Sequence, residues 1–150
     1  MKKFIKKQLA ESAEVKQRLA EGKQVDVILS IARVIAKAFR NNKKVLLFGN
    51  GGSAADAQHM AAEWVGRFYK DRKSLPAIAL TTNPSIVTSI ANDYGYKNLF
   101  SRQIEGLLNR GDIAIGITTS GLTAGTKYLG SVAYGGVAGL PNPTIVRVDP

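Results

Sequence analysis

Residues 45–63 read VLLFGNGGSAADAQHMAAE, and this stretch decides the fold. Four apolar residues come first, a glycine-rich corner follows, and an alanine-rich segment comes last. This order predicts a buried strand, a tight turn and a helix. Backbone amides in such a turn, together with the positive end of the helix, often bind an anion. We therefore predict an anion-binding loop, although a plain strand-to-helix turn would use the same glycines. Its residues are Asn50, Gly51, Gly52 and Ser53.

The rest of the chain predicts further helices that alternate with strands. Residues 2–21 have the apolar spacing of an amphipathic helix, and a helix apolar on two faces follows from Val25 to Phe39. Helical patterns also cover residues 54–66, 85–91 and 99–108, while apolar runs predict strands at 76–80, 113–117 and 144–148. Continuously apolar strands that alternate with helices are typical of a parallel sheet covered on both faces. The sequence therefore predicts an α/β fold.

The bulk composition excludes several classes of protein. The 150 residues are 45% hydrophobic and contain no cysteine, so neither disulfides nor thiolate metal sites are available. No apolar run reaches the roughly 18 to 20 residues that cross a bilayer, and no secretory signal pattern is recognisable. We therefore expect a cytoplasmic protein without a membrane partner. The formal charge is +10, but the basic residues are spread along the chain, so no nucleic-acid partner is expected.

Polar loops follow three of the predicted strands. Besides the glycine corner, these loops are residues 81–83 and 118–121. Ligands of parallel sheets bind outside the carboxyl ends of the strands, so the loops are expected to share one edge. Thr118, Thr119 and Ser120 bring three hydroxyl groups to that edge, and hydroxyls with backbone amides can hold a phosphate dianion. Although each loop alone is explained by an ordinary turn, together they favour a phosphorylated small molecule.

Two pairs of side chains are candidates for chemistry. His59 and Glu63 are four residues apart on a predicted helix and therefore share a face, which suits metal binding or proton transfer but also an ordinary surface pair. They form only half of a zinc site, because zinc takes three or four protein ligands and the chain has one histidine. Asn92 and Asp93 follow another predicted helix and can reach the same edge, although an Asx turn explains them equally.

Five motifs in the chain are typical of one known family: FGNGGSAADAQH (48–59), PAIAL (76–80), ANDYGY (91–96), FSRQ (100–103) and GDIAIGITTSG (111–121). Together they resemble the sedoheptulose 7-phosphate isomerases, or phosphoheptose isomerases, of the sugar isomerase (SIS) domain family. The resemblance covers about residues 1–121. It implies a Rossmann-like three-layer α/β/α sandwich with a parallel sheet, in a homotetramer whose sites lie near subunit interfaces. We also expect one SIS-type domain over residues 1–150, with N-terminal helices (1–40) packed on the sheet or on a neighbouring subunit, a sugar-phosphate-binding core (41–121) and an atypical glycine-rich end (122–150).

The resemblance further implies an activity and a set of site residues. The reaction is the isomerisation of sedoheptulose 7-phosphate to D-glycero-D-manno-heptose 7-phosphate, an aldose–ketose conversion that supplies bacterial lipopolysaccharide synthesis. Zinc is held partly by residues matching His59 and Glu63, and Glu63 is the candidate base that moves a proton between C1 and C2 through an enediol. The phosphorylated heptose is bound by residues matching Asn50, Gly51, Gly52, Ser53, Glu63, Asn92, Asp93, Thr118, Thr119 and Ser120.

Residues 122–150 depart from the family pattern. The family continues with a long alanine-rich helix, a strand and a last helix that supplies a glutamine and a histidine to the metal site. Glycine costs a helix interior about 1 kcal/mol relative to alanine, so the glycine-rich segment here is not expected to form that helix. We hypothesise a shifted reading frame, a truncation or an engineered end. Two other functions stay open: a non-catalytic sugar-phosphate-binding SIS module, and an interaction protein similar to the SIS-type partner of the bacterial replication initiator.

Overall fold

The computed structural model of the chain describes residues 1–118 and the backbone of residues 144–148. Within these ranges a short 3-10 turn, Tyr96–Asn98, links the last two helices. The helices are α1 (Lys2–Glu21), α2 (Gln24–Arg40), α3 (Gly52–Val65), α4 (Pro84–Tyr94) and α5 (Leu99–Leu107). The strands are β1 (Val45–Gly49), β2 (Ala77–Ala79), β3 (Ile113–Ile117) and β4 (Thr144–Val148).

The four strands form one parallel sheet in the order β2-β1-β3-β4. The apolar start of the stretch 45–63 supplies β1, which lies between β2 and β3. Val45 of β1 is in register with Ala77 of β2 and with Ile113 of β3, and Gly49 is in register with Ile117. The prediction of an α/β fold with a parallel sheet is therefore confirmed.

Side chains from both faces of the sheet are buried. One face carries Leu46, Phe48 and Ala114, which share a core with three residues of α5, Leu99, Phe100 and Ile104. The Phe48 and Phe100 rings lie 5.0 Å apart between centroids. Side chains alternate between the two faces of a strand. The opposite face of the sheet carries four more buried residues, Val45, Leu47, Ile113 and Ile115. Helix α3 packs against β1 and β2.

The N-terminal helices present many apolar side chains to solvent. The chain divides into two compact units, Met1–Val34 and Ile35–Pro150, and α1 in the first unit buries none of its residues. Ala38 is the buried residue of α2, and the burial of this helix on two sides stays a prediction. Among the described residues, no helix is long and apolar enough to cross a membrane. The exposed residues of the two helices include Phe4, Leu9, Val15, Val25, Val27, Ile28 and Leu29.

Several predicted boundaries differ from the observed ones. Helix α3 begins at Gly52, two residues earlier than predicted, and β2 is shorter than the apolar run that predicted it. Helix α4 continues through Asn92 and Asp93 to Tyr94, so these residues lie in its last turn instead of interrupting it. Strand 144–148 is confirmed, whereas the predictions for residues 119–143 fall outside the described residues.

An ion pair between Lys44 and Asp112 joins the amino ends of β1 and β3. The Asp112 side chain is only 3% exposed, and it accepts hydrogen bonds from Lys44 Nζ, from the Lys44 amide at 3.0 Å and from the Asn109 amide at 2.8 Å. Burial alone would raise the pKa of Asp112, but the bonds from Lys44 and Asn109 outweigh it and hold that pKa below its ordinary value of 3.8. The ionised carboxylate therefore stabilises the register of the two central strands.

Substitution of Asp112 by asparagine is expected to lower the free energy of unfolding by about 2 to 3 kcal/mol at pH 7, because Lys44 loses its partner beside a buried site. Urea unfolding measures the loss. Glu14→Gln is the matched control, since it breaks an exposed pair with Arg18 that is worth about 0.5 kcal/mol or less. A folded-state pKa below the ordinary value stabilises the protein above about pH 4. The difference in the free energy of unfolding between wild type and Asp112→Asn is therefore expected to shrink as the pH falls further. A constant difference down to pH 2 would refute the stabilising role of the ionised Asp112 carboxylate.

Candidate functional site

The carboxyl ends of β1 and β3 form the centre of the candidate site. Because Gly49 pairs with Ile117, the next residues, Asn50 and Thr118, follow side by side. The chain runs from β1 to β2 on one side and then crosses to β3 on the other side. This reversal of direction is a topological switch point, the position at which open α/β sheets bind their ligands.

The glycine loop presents backbone donors at this position. Gly51 is the N-cap residue of α3 and has φ 54° and ψ −121°, a conformation that essentially only glycine adopts. The amides of Ser53 and Ala54 donate to the carbonyls of Asn50 and Gly51 at 3.0 and 3.1 Å. Within the described residues, the amides of Gly51 and Gly52 donate to no backbone carbonyl, and both glycines are exposed. They lie at the positive end of α3, where a phosphate or another anion binds favourably.

Gly49 lets the first turn of α3 pack directly on the end of β1. A Cβ atom placed on Gly49 would lie 2.7 Å from Cβ of Ser53 and 2.8 Å from both its carbonyl carbon and its carbonyl oxygen. Ser53 is itself 6% exposed, so it lies beneath the loop rather than on its surface. The glycine at position 49 thus fixes the distance between the sheet and the helix that follows it.

Thr118 is the described part of the hydroxyl-rich loop after β3. It is 6% exposed and lies next to the glycine loop through the pairing of β1 with β3. Thr119 and Ser120 fall outside the described residues. The structure therefore brings Thr118 to the predicted edge, and the role of the other two residues stays a prediction.

The segment around the end of α4 also reaches this edge. Tyr96 Oη donates a hydrogen bond of 2.7 Å to Oδ1 of Asn50. Asn92 and Asp93 lie one turn earlier, both exposed, and the Asn92 amide donates to the Asp93 carboxylate at 2.8 Å. Sequence reasoning proposed Asn92 and Asp93 but missed Tyr96, because an exposed tyrosine 46 residues from its partner carries no local signal.

The loop after β2 is held between two helices. Gln58 of α3 donates to Oγ1 of Thr81 at 3.1 Å. Gln103 of α5, which is 7% exposed, donates to the Leu80 carbonyl at 3.1 Å and to the Leu99 carbonyl at 3.2 Å. These contacts fix the carboxyl end of β2, although no side chain of this loop was predicted to bind a ligand.

His59 and Glu63 share one face of α3, as their spacing predicts. His59 Nε2 lies 3.6 Å from Glu63 Oε1, and the two side chains are 76% and 34% exposed. Arg72 donates to the carbonyls of Glu63 at 2.9 Å and of Trp64 at 2.8 Å, which fixes the last turn of the helix. Glu63 follows Gly52 by eleven residues, about 16 Å along the helix axis. The glycine loop and Glu63 are therefore at opposite ends of α3.

The donor set fits a zinc ion only in part. Zinc takes three or four protein ligands, and His59 with Glu63 provides two. Across residues 1–118 and 144–148, no group of three or more His, Cys, Asp or Glu side chains is arranged to hold a metal ion.

The chain is similar to a known domain family and to curated proteins. The SIS domain profile matches residues 9–126. The phosphoheptose isomerase of Clostridium acetobutylicum is 55% identical over 122 residues, which are 81% of this chain and 62% of that protein. The phosphoheptose isomerase of Aquifex aeolicus is 59% identical over 117 residues, which are 78% of this chain and 61% of that protein.

A solved structure of the phosphoheptose isomerase from Neisseria gonorrhoeae superposes with a TM-score of 0.82 at 34% identity, and the match covers 99% of this chain and 74% of that one. The curated relatives are longer, since the matched part spans only 61% to 62% of the two named above. These matches agree with the resemblance that the motifs indicate.

Proposed function

We propose that this chain, which belongs to the SIS domain family, isomerises sedoheptulose 7-phosphate to D-glycero-D-manno-heptose 7-phosphate. One observation carries the proposal: the glycine loop after β1 and Thr118 after β3 lie side by side at the switch point of the sheet. The named relatives are phosphoheptose isomerases. A phosphorylated sugar fits this edge better than an uncharged one, because the loop offers amides at the positive end of a helix.

The phosphate is proposed to bind at the glycine loop. The exposed amides of Gly51 and Gly52 and the Asn50 side chain surround the start of α3. Thr118 adds a neighbouring hydroxyl group, and Thr119 and Ser120 are proposed to extend the set. Ser53 supports the loop from below, while Asn92 and Asp93 offer amide and carboxylate groups for sugar hydroxyls. This arrangement leaves the carbonyl end of the sugar directed away from the loop.

Glu63 is proposed as the base of the isomerisation. Its carboxylate takes one proton from C1 of the ketose, and the C–H electrons form the C1=C2 bond of an enediol while the C2 oxygen takes a proton from water. The same carboxyl group then returns a proton to C2, and the C1 hydroxyl gives its proton to water as the aldehyde forms. A base must lie within hydrogen-bond reach of the proton that it moves. Glu63 is 34% exposed, so its carboxylate is accessible to a sugar.

A second copy of the chain is proposed to complete the site. The roughly 16 Å of helix between Gly52 and Glu63 exceeds the length of an extended heptose phosphate, so one chain does not easily supply both ends. The exposed apolar side chains of α1 and α2 offer surface for such an assembly. In a homo-oligomer, of which a tetramer is the proposed form, the Glu63 of one subunit can serve the glycine loop of another.

His59 and Glu63 are the proposed zinc ligands. A bound zinc ion would polarise the substrate oxygens, but it needs ligands beyond these two. The proposed setting is the cytoplasm, where the product would enter the synthesis of bacterial lipopolysaccharide.

Incubation of the chain with sedoheptulose 7-phosphate tests the proposed function. Chromatography of the sugar phosphates is expected to show conversion to the aldose, and calorimetry is expected to show binding of the phosphorylated ketose but not of unphosphorylated sedoheptulose. Binding without conversion would support a non-catalytic sugar-phosphate module instead. Failure to bind either sugar would contradict both readings.

A further inference from the structure

We infer that Arg72 is a positioning residue for Glu63, because its guanidinium group holds the backbone of the helical turn that carries the Glu63 carboxylate. The inference rests on the proposed function for the role of that carboxylate as the base of the isomerisation. Its structural basis is a pair of hydrogen bonds, from Nη2 of Arg72 to the Glu63 carbonyl at 2.9 Å and from Nη1 to the Trp64 carbonyl at 2.8 Å.

The last turn of α3 needs hydrogen-bond partners from outside the helix. The last four carbonyls of an α-helix have no partner within it, and α3 ends two residues after Glu63. The Gly66 amide donates to the Ala62 carbonyl at 2.8 Å, and Arg72 binds the next two carbonyls, those of Glu63 and Trp64. Opening of this turn would move the Cβ atom of Glu63. The placement of the carboxylate therefore depends on the contacts that keep the turn closed.

Arg72 also connects the end of α3 to the loop that follows it. Its Nη1 atom donates a further hydrogen bond of 3.1 Å to the Lys73 carbonyl, so one planar group joins carbonyls of the helix and of the loop. The Leu75 amide donates to the Trp64 carbonyl at 3.0 Å. The Trp64 ring packs edge-on against Phe39 of α2, with 5.5 Å between the ring centroids. Both the backbone and one side chain of the last turn are thus fixed to neighbouring structure.

The chemistry of an arginine side chain suits this role. A guanidinium group carries its N–H donors in a rigid plane and can bind two carbonyls at a fixed spacing, whereas a lysine ammonium is a point charge on a flexible stem. The positive charge is also favourable at the negative end of a helix dipole. Because such a cation would stabilise any helix, a role in positioning Glu63 must be visible in catalysis as well as in stability.

Nuclear magnetic resonance of the free protein tests whether Arg72 holds the turn. In Arg72→Gln the backbone order parameters of Trp64, Val65 and Gly66 are expected to fall below about 0.85, the value of a rigid backbone, while those of β1 stay unchanged. Lys73→Gln removes a neighbouring exposed charge but keeps the Lys73 carbonyl, so it is the matched control and is expected to resemble wild type. Unchanged order parameters in the last turn of Arg72→Gln, or an equal fall in β1, would overturn the inference.

Turnover of sedoheptulose 7-phosphate tests the link to catalysis. Arg72→Gln is expected to lower kcat about 10- to 100-fold with KM little changed, because a misplacement of a catalytic group by about 1 Å costs up to about 10²-fold. Arg72→Lys keeps the charge but cannot bind both carbonyls with one planar group, so an intermediate kcat is expected. Lys73→Gln is expected to match wild type. A raised KM with unchanged kcat in Arg72→Gln would overturn the inference.

A double variant separates positioning of Glu63 from a general structural role. In a Glu63→Gln background, Arg72→Gln is expected to leave the residual kcat unchanged, because the guanidinium group acts through the Glu63 carboxylate. An equal loss of kcat in both backgrounds would assign Arg72 a general structural role and overturn the inference. If wild type shows no turnover, the proposed function fails, and the order parameters alone decide whether Arg72 holds Glu63.

Discussion

Replacement of Gly49 by alanine is expected to lower the free energy of unfolding by at least about 3 kcal/mol, at the upper end of overpacking effects. The added methyl group would lie 2.8 Å from the carbonyl carbon and oxygen of Ser53, which are backbone atoms of α3. Relief of this clash requires either β1 or α3 to move, and both are fixed by buried contacts on the sheet. Urea unfolding followed by circular dichroism measures the effect.

Gly106→Ala is the matched control for this prediction. Gly106 lies in α5, where a Cβ atom would meet no atom within 4 Å apart from its chain neighbours and the backbone of its own helix. Alanine is a better helix former than glycine by up to about 1 kcal/mol, so this variant is expected to be as stable as wild type or slightly more stable. If Gly49→Ala unfolds within 1 kcal/mol of wild type, the close packing of α3 on β1 is not what orders the glycine loop.

Replacement of Glu63 by glutamine is expected to lower kcat for sedoheptulose 7-phosphate about 10²- to 10⁴-fold, the usual contribution of a general base. Glutamine keeps the shape of the side chain but cannot accept the C1 proton. KM is expected to change little, because the phosphate is bound at the other end of the site. Steady-state kinetics with separate kcat and KM values measure both effects.

Two further variants make this prediction specific. Glu105→Gln neutralises an exposed carboxylate on α5 and is expected to leave kcat unchanged. Mixed oligomers of Glu63→Gln and Asn50→Ala chains are expected to recover part of the activity that each variant lacks alone, because a shared site can pair an intact loop with an intact base. If the mixture stays inactive although mixed oligomers form, the loop and the base belong to one chain.

The local pattern of apolar residues was sufficient to predict most of the helices and strands. The apolar run from Val45 to Phe48 and the alternation of strands with helices specify a parallel sheet, because few other arrangements bury both faces of such strands. The pairing of His59 with Glu63 followed from the helical repeat alone. The convergence of the loops after β1 and β3 followed from a general rule for parallel sheets, and the register of Gly49 with Ile117 agrees with it.

Features that depend on distant contacts were not predictable in this way. Asn92 and Asp93 read as a helix break because their side chains favour turns, yet α4 continues to Tyr94 and is ended by its C-cap residue Gly95, whose φ is 77°. The ion pair of Lys44 with Asp112 was missed because each residue lies in a polar turn with no apolar pattern. It becomes visible only once β1 and β3 are in register. The hydrogen bond of Tyr96 with Asn50 was not predicted either, because it also joins residues that are far apart in the sequence.

Solvent exchange during turnover tests the proposed isomerisation most directly. In D₂O, wild type with sedoheptulose 7-phosphate is expected to form an aldose that carries deuterium at C2, because an enediol exchanges its proton with solvent before reprotonation. The rates of product formation and of deuterium incorporation are both expected to fall about 10²- to 10⁴-fold in Glu63→Gln. An aldose without any solvent deuterium would indicate a hydride shift, and a bound ketose that neither reacts nor exchanges would contradict the isomerase.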